Sequence, residues 1–271
     1  METANVQSAE HQGRHGGRKD EADLQAEVLA PHVPLPAYYG DEAEHQQFLR
    51  RIFDDTAPDY DRIERVLALG SGPWYRRSAL QRAGLSKGAE VLDVGIGTGL
   101  VAREALTLIG PQGKLVGVDP SPGMMGEVKL PGVELVRGRA EALPRPDASS
   151  DFISMGYALR HIADVNAAFA EFFRVLRPGG RLLVLEISKP SGRIGTAVLK
   201  AYMRGIVPVI AKVVAHQHDT AELWRYYWDT IEACIAPAAV MDALRTAGFV
   251  DVKRNAELGI FSEFTAVKPG I

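Results

Sequence analysis

The chain has 271 residues, 46% hydrophobic and 24% charged, a composition that excludes a wholly disordered chain, a collagen-like repeat and a disulfide scaffold. Its formal net charge is -3, so no overall basic field favours nucleic acid as a partner. The single cysteine, Cys234, excludes an intramolecular disulfide and a cysteine-clustered zinc site, and a cytoplasmic, reducing location is expected.

Residues 1–40 are predicted to form a mobile polar arm. They are mixed in charge, rich in Gly and His over residues 11–17, and interrupted by prolines over residues 31–36. The first 30 residues have no apolar core of the kind found in secretory signals, so such a signal is not expected. Residues 41–271 are expected to form one domain.

Three short helices are predicted before the first strand, over residues 42–53, 61–69 and 74–83. Ala57 and Pro58 indicate a loop between the first two helices, because proline lacks the N–H that a helix interior needs. A second break is expected at residues 70–73, which contain two glycines and a proline.

From Ala89 onward, apolar strands alternate with helices. Strands are predicted over residues 89–95, 114–119, 133–137, 151–155, 181–186, 250–254 and 261–268, and helices over residues 100–109, 121–129, 165–176 and 237–247. Crossover helices between strands imply a parallel sheet, whereas the short connection before the last strand implies an antiparallel end. The predicted fold is α/β, a Rossmann-like, doubly wound and mostly parallel seven-stranded sheet.

A glycine loop, Asp93–Gly99, lies where the first strand meets its helix. Glycines there allow a ligand to approach the backbone closely, and the helix start offers free N–H groups. Asp119 ends the second strand, where a carboxylate can accept both hydroxyls of a ribose. The G-x-G-x-G spacing argues against a nicotinamide dinucleotide, and Asp93 suits a positively charged ligand. The loop therefore favours S-adenosylmethionine as the nucleoside.

Several further segments show a more specific pattern. They are Phe53–Asp61, Val91–Gly99, Ala140–Pro144, Leu159–His161, Arg177–Glu186 and Ser188–Pro190. Together they strongly resemble the UbiE family, the class I S-adenosylmethionine-dependent C-methyltransferases of ubiquinone and menaquinone biosynthesis. The resemblance covers roughly residues 48–268.

The resemblance implies the class I methyltransferase fold, with N-terminal helices and lid helices inserted over about residues 191–233. It implies S-adenosyl-L-methionine as cofactor and S-adenosyl-L-homocysteine as product. Taken with the glycine loop, the predicted cofactor-binding residues are Tyr60, Asp93, Gly95, Gly97, Thr98, Gly99, Asp119, Arg139, Ala140 and Gly156. The sequence departs from the family pattern at Arg139, Gly156, His161 and residues 235–237, which leaves the methyl acceptor open.

Arg160 and His161 are the predicted catalytic residues, because they follow the fourth strand, where open α/β sheets place ligands. By the resemblance, Arg160 acts on the acceptor ring through a water, since a guanidinium stays protonated. His161, where the family usually has Asn, is a candidate base near neutral pH. The alternatives are a structural ion pair for Arg160 and a packing role for His161.

The predicted function is C-methylation of a prenylated quinol or a similar phenolic ring. N- or O-methylation of a small molecule or lipid headgroup stays open, as do a nicotinamide-dependent oxidoreductase and a non-catalytic nucleoside-binding partner. The expected partner is a hydrophobic aromatic small molecule and not nucleic acid. No metal is expected, because His216, His218 and Asp219 lie in a polar loop where such a cluster is usually incidental.

An apolar stretch over residues 197–215 contains the cations Lys200, Arg204 and Lys212. It is interpreted as a lid packed on the sheet. The lid interpretation is favoured, and the stretch is also compatible with a wall for a prenyl tail whose cations meet lipid headgroups. A peripheral membrane contact and a homodimer therefore stay open.

Overall fold

The computed structural model describes residues 28–190, 192–214 and 220–270. Within them, one sheet contains the strands β1 Glu90–Val94, β2 Lys114–Asp119, β3 Glu134–Arg137, β4 Ser150–Gly156, β5 Leu176–Ile187, β6 Val250–Glu257 and β7 Phe261–Val267. Their order is β3-β2-β1-β4-β5-β7-β6. Strand β7 runs antiparallel to β5 and β6, and the other pairs are parallel. The predicted seven-stranded, mostly parallel α/β sheet is confirmed.

Helices lie on both faces of the sheet. They are α1 Glu42–Leu67, α2 Gly72–Arg82, α3 Leu100–Ile109, α4 Pro122–Gly126, α5 Val165–Val175, α6 Arg193–Ala201, α7 Val207–Val214, α8 Thr220–Ala233 and α9 Pro237–Thr246. Helices α5 and α9 contribute to the core on one face, and α2 and α3 to the core on the other. None of the helices in the described ranges is long and apolar enough to span a membrane.

The strand order reverses between β1 and β4, and the candidate site lies at this reversal. The chain proceeds from β1 to β2 and β3 on one side, and from β4 to β5 on the other. The crossover connections therefore diverge at the carboxyl ends of β1 and β4 and leave a crevice between them. Open α/β sheets bind their ligands in such a crevice.

Helix α1 is continuous through Pro58, so the prediction of a loop at Ala57 and Pro58 is wrong. The buried side chains of Ile52, Ala57 and Ile63 lie on both sides of the proline and hold the two halves against the same core. Burial of this apolar face outweighs the lost backbone hydrogen bond, which costs about 3 kcal/mol in a helix interior.

Strands β5 and β6 and helix α4 differ in length from the prediction by three residues or more. Strand β6 extends to Glu257 instead of residue 254. Strand β5 begins at Leu176 instead of Arg181, with a register irregularity opposite β4 that accommodates the Pro-Gly-Gly segment. Helix α4 is five residues long and shorter than the predicted helix over residues 121–129.

The described part of the predicted arm, residues 28–40, lies against the domain and corrects the expectation of mobility there. Val165 donates its N–H to the Leu29 carbonyl at 2.9 Å, and Ile235 donates to Pro31 at 2.8 Å. His32 and Tyr39 are buried. Residues 1–27 lie outside the described residues, as do His216, His218 and Asp219.

The predicted lid region, about residues 191–233, contains α6, a π-helical turn over residues 202–206, α7 and α8. Helices α7 and α8 share a buried apolar cluster with α1. This cluster forms a helical layer of its own, and the cavity described below lies between that layer and the sheet.

Candidate active site

A cavity of about 290 Å³ opens at the carboxyl ends of β1, β2 and β4. Its floor is formed by the turn after β1 and by residues 119–121 and 137–141. Side chains of α1 and α8 line the opposite side. The volume is close to the lower end of the range of about 300–1,000 Å³ that small-molecule sites occupy.

The glycine turn brings backbone to the cavity wall. Gly95 and Gly97 have positive φ values of 67° and 56°, a conformation that glycine adopts without strain. A Cβ on Gly95 would lie 2.7 Å from the Ala158 Cβ, so no larger residue fits there. Gly99 caps α3 with φ 88° and does not line the cavity, and its contact with the cofactor stays a prediction.

Asp119 lines the cavity at the end of β2. Its Oδ2 accepts the Gly97 N–H at 2.8 Å, and its Oδ1 accepts the Ser121 N–H at 2.9 Å. Each oxygen keeps a further acceptor position, which is what a ribose diol needs. Burial raises the pKa of Asp119 to about 6, so the carboxyl is ionised at neutral pH. The carboxylate and the exposed turn backbone fit a nucleoside.

Asp93 lies beneath the turn and not on the cavity wall. Ser154 of β4 donates its hydroxyl to Asp93 Oδ1 at 2.6 Å, across the register pair that joins β1 to β4. Burial raises the pKa of Asp93 to about 7. The Asp93 side chain faces β4 and links the two strands, and its contact with a positively charged ligand stays a prediction.

The other predicted cofactor residues lie on the wall: Tyr60, Thr98, Arg139, Ala140 and Gly156. The Thr98 hydroxyl donates to Asp61 of α1 at 2.5 Å, which holds the turn against that helix. A Cβ at Gly156 would approach Val101 to 2.5 Å, so the structure favours glycine there.

An aromatic wall, defined as Phe53, Tyr60, His161 and Tyr227, lines the cavity. The Tyr60 and Tyr227 hydroxyl oxygens are 2.7 Å apart. The His161 ring centroid lies 5.2 Å from that of Phe53 and 5.5 Å from that of Tyr227. The sequence reasoning missed Phe53 and Tyr227, although the aromatic run over residues 224–228 was a signal for Tyr227.

His161 is half-buried in this wall, and its two ring nitrogens are buried without a hydrogen-bond partner among the described residues. Burial and the neighbouring positive charge of Arg160 hold the pKa of His161 well below its usual value. The imidazole is therefore neutral at pH 7 and has a nitrogen available to accept a proton or a hydrogen bond.

Arg160 is fully buried and does not line the cavity, and its predicted action on the acceptor ring stays a prediction. It forms an ion pair with Glu186 near the end of β5. Its Cζ lies 4.4 Å from the centroid of the Tyr227 ring. Burial alone would lower the pKa of Arg160, but the Glu186 carboxylate holds it above its ordinary value. The Arg160 side chain therefore packs against the Tyr227 ring without lining the cavity itself.

Arg76 and Glu64 are cavity residues that the sequence reasoning did not identify. The buried Arg76 donates to Glu64 at 2.8 Å, so this end of the cavity contains a paired cation and anion. No sequence spacing marks them, because they belong to two different helices.

The chain is similar to methyltransferases over most of its length. Residues 41–268 match the ubiE/COQ5 methyltransferase family. The chain is 33% identical over 234 residues to a ubiquinone/menaquinone biosynthesis C-methyltransferase of Hahella chejuensis, covering 83% of this chain and 93% of the relative. It is 31% identical over 218 residues to a demethylmenaquinone methyltransferase of Symbiobacterium thermophilum, covering 77% and 87% respectively.

Solved structures share the fold at lower identity. A SAM-dependent methyltransferase of Aquifex aeolicus is 20% identical with a TM-score of 0.55, covering 76% of this chain and 97% of that chain. The phosphoethanolamine N-methyltransferase 2 of Haemonchus contortus, solved with S-adenosyl-L-methionine, is 17% identical with a TM-score of 0.59. That match covers 83% of this chain and 60% of the other.

Proposed function

The chain belongs to the ubiE/COQ5 methyltransferase family, and from that premise we propose that it methylates a ring carbon of a prenylated quinol or a similar phenol. It is an S-adenosyl-L-methionine-dependent methyltransferase, which excludes the nicotinamide-dependent oxidoreductase considered from the sequence. When bound, the cofactor supplies an electrophilic methyl group.

One observation supports an aromatic ring as the methyl acceptor. The aromatic wall and the nucleoside-binding turn line the same cavity. A flat aromatic acceptor packs well against aromatic side chains, in stacked or edge-to-face arrangements. A ring bound on this wall would lie beside the cofactor, which suits a planar acceptor better than a small flexible amine.

The residues of the chain have three tasks in this proposal. Asp119 and the turn backbone hold the nucleoside, while α1 and α8 cover the cavity and exclude water. Fixing acceptor and donor in close contact supplies a large part of the rate acceleration in such a displacement. Burial raises the pKa values of Tyr60 and Tyr227, so both hydroxyls stay protonated. One hydroxyl donates to the other within the pair, and the second can donate to an acceptor oxygen.

The neutral imidazole of His161 is the proton acceptor in this scheme. It takes the proton from the acceptor hydroxyl or from the methylated ring carbon. His161→Phe keeps a planar ring but removes the nitrogens, and should lower kcat by about 10²–10⁴-fold with little change in cofactor affinity. His161→Asn places there the residue that the family usually has. A loss of turnover like that of His161→Phe would assign the base to His161, whereas wild-type turnover would contradict that role.

The acceptor is tested by complementing a strain that cannot methylate its quinone precursor and analysing the lipid extract by mass spectrometry. The expected result is a ring-methylated quinone, produced by the wild-type chain and not by His161→Phe. If lipid extracts show no ring methylation while purified protein methylates an amine or a hydroxyl, the C-methylation proposal is wrong.

A further inference from the structure

The outward face of α6 and α7 is an exposed apolar surface. We call it the outer stripe, and its members are between 53% and 82% exposed: Ile194, Val198, Ile206, Val209 and Val213. Scattered single apolar residues on a surface are ordinary, but a contiguous apolar patch usually marks an interaction site. Here the five side chains belong to 20 consecutive residues of one helical segment.

Helical spacing places the outer stripe on one face of this segment and a set of buried side chains on the opposite face. Ile194 and Val198 are four residues apart, as are Val209 and Val213, and such pairs share a helix face. Met203, Val207 and Ala211 are instead buried in the apolar cluster with α1 and α8.

In α7 every residue except Lys212 is apolar. A helix that is apolar all round is expected in a protein interior or in lipid. Among the residues that the structure describes, only the inner face of α7 packs against protein, since Val209 and Val213 are exposed.

The charges on this segment are of one sign. Residues 192–214 contain four cations and no Asp or Glu. Lys200 and Arg204 form ion pairs with Glu232 and Asp229 of α8. Arg193 and Lys212 are exposed near the two ends of the stripe. An apolar helix face flanked by Lys and Arg is typical of helices that lie in the headgroup region of an anionic bilayer.

We propose that the outer stripe binds the surface of an anionic lipid bilayer. The inner face of the same segment packs in one cluster with Trp224 and Tyr227, and Tyr227 lines the cavity. One layer of helices therefore separates the bilayer from the active site. The proposal goes beyond the methyl-transfer reaction and does not depend on which acceptor is used.

The test is co-sedimentation of the full chain with vesicles of phosphatidylglycerol and phosphatidylcholine. The double variant Val209→Ser/Val213→Ser should bind at least about tenfold more weakly than the wild type, because it removes apolar contact with the bilayer. Lys212→Glu should weaken binding to the mixed vesicles more than binding to pure phosphatidylcholine. Val250→Ser, at an exposed valine near the opposite end of the sheet from the cavity, is the matched control and should bind as the wild type does.

Two results would overturn the proposal. The first is a wild-type chain that stays in the supernatant with anionic vesicles, or a double variant that binds them as well as the wild type. The second is a wild-type dimer that Val209→Ser/Val213→Ser converts to a monomer without loss of vesicle binding, which would assign the stripe to contact between two copies. Unchanged cofactor affinity and thermal midpoint in each variant exclude misfolding as the cause.

Discussion

At the scale of single residues, the Asp119 carboxylate both organises the turn and faces the cavity. Its two oxygens accept N–H groups from Gly97 and Ser121. Replacing Asp119 by Ala removes these bonds and the acceptors for ribose hydroxyls, so the affinity for S-adenosylmethionine should fall by about 1.5–3 kcal/mol, roughly 10–150-fold. Calorimetric titration measures the change, and Asp242→Ala, an exposed position on α9, is the control. Equal affinities for the two variants would contradict the assignment.

The buried pair of Arg160 and Glu186 gives a prediction about stability. Arg160→Ala leaves the Glu186 carboxylate buried without its cation and should lower the free energy of unfolding by about 3–5 kcal/mol. Arg160→Met combined with Glu186→Leu should recover most of that loss, because neither charge then remains buried. Urea unfolding provides the comparison. A stable Arg160→Ala variant that binds cofactor but has lost turnover would instead support the predicted catalytic role of Arg160.

At the scale of elements, α1 is attached to the turns below it by two carboxylates. Asp54 accepts from the Ser121 hydroxyl at 2.5 Å and from the Gly123 N–H at 2.8 Å, and Asp61 accepts from Thr98. These bonds join the cover of the cavity to its floor.

Asp54→Ala tests that attachment without altering the cavity wall. It leaves the Ser121 hydroxyl and the Gly123 N–H without their partner, and we expect a cofactor affinity about 5–30-fold weaker. Amide hydrogen exchange over residues 42–67 should also become faster. The neighbouring Asp55 is exposed, so Asp55→Ala is the matched control. The same exchange rate in both variants would show that the bonds of Asp54 do not hold α1.

The same elements show how far sequence reasoning reaches. The strands and the glycine turn were predictable because the alternation of strands with helices, the Pro and Gly residues that end elements, and the spacing of glycines are local signals. The bounds of α3 and β2 were predicted correctly to the residue. The continuity of α1 through Pro58 was not predictable from local signals, since it depends on burial against α7 and α8. The aromatic wall was missed for a similar reason: Phe53 and Tyr227 are brought together only by the fold.

At the scale of the whole molecule, Asp93 should make stability depend on pH. Its pKa in the folded chain, about 7, lies above the ordinary value of 3.8. Folding therefore favours the protonated form, and the stability that this group contributes at low pH is lost as pH rises from about 4 through 7. Asp93→Asn cannot ionise, so relative to the wild type it should gain about 2–3 kcal/mol between pH 5 and pH 7.5.

Urea unfolding at the two pH values checks this expectation, with Asp242→Asn as a control whose difference from the wild type should not change with pH. A difference between Asp93→Asn and the wild type that is the same at both pH values would show that Asp93 does not titrate in this range.

The long-range hydrogen bonds of residues 29–31 determine when this segment can dock during synthesis of the chain. Leu29 donates to Asp164, 135 residues further along the chain, and Pro31 accepts from Ile235, which is synthesised later still. At about 5–20 residues per second, Asp164 emerges roughly 7–27 s after Leu29 does. Residues 29–31 therefore stay without these partners while strands β1 to β4 are synthesised. Their docking against the domain is completed only after α8 has been translated.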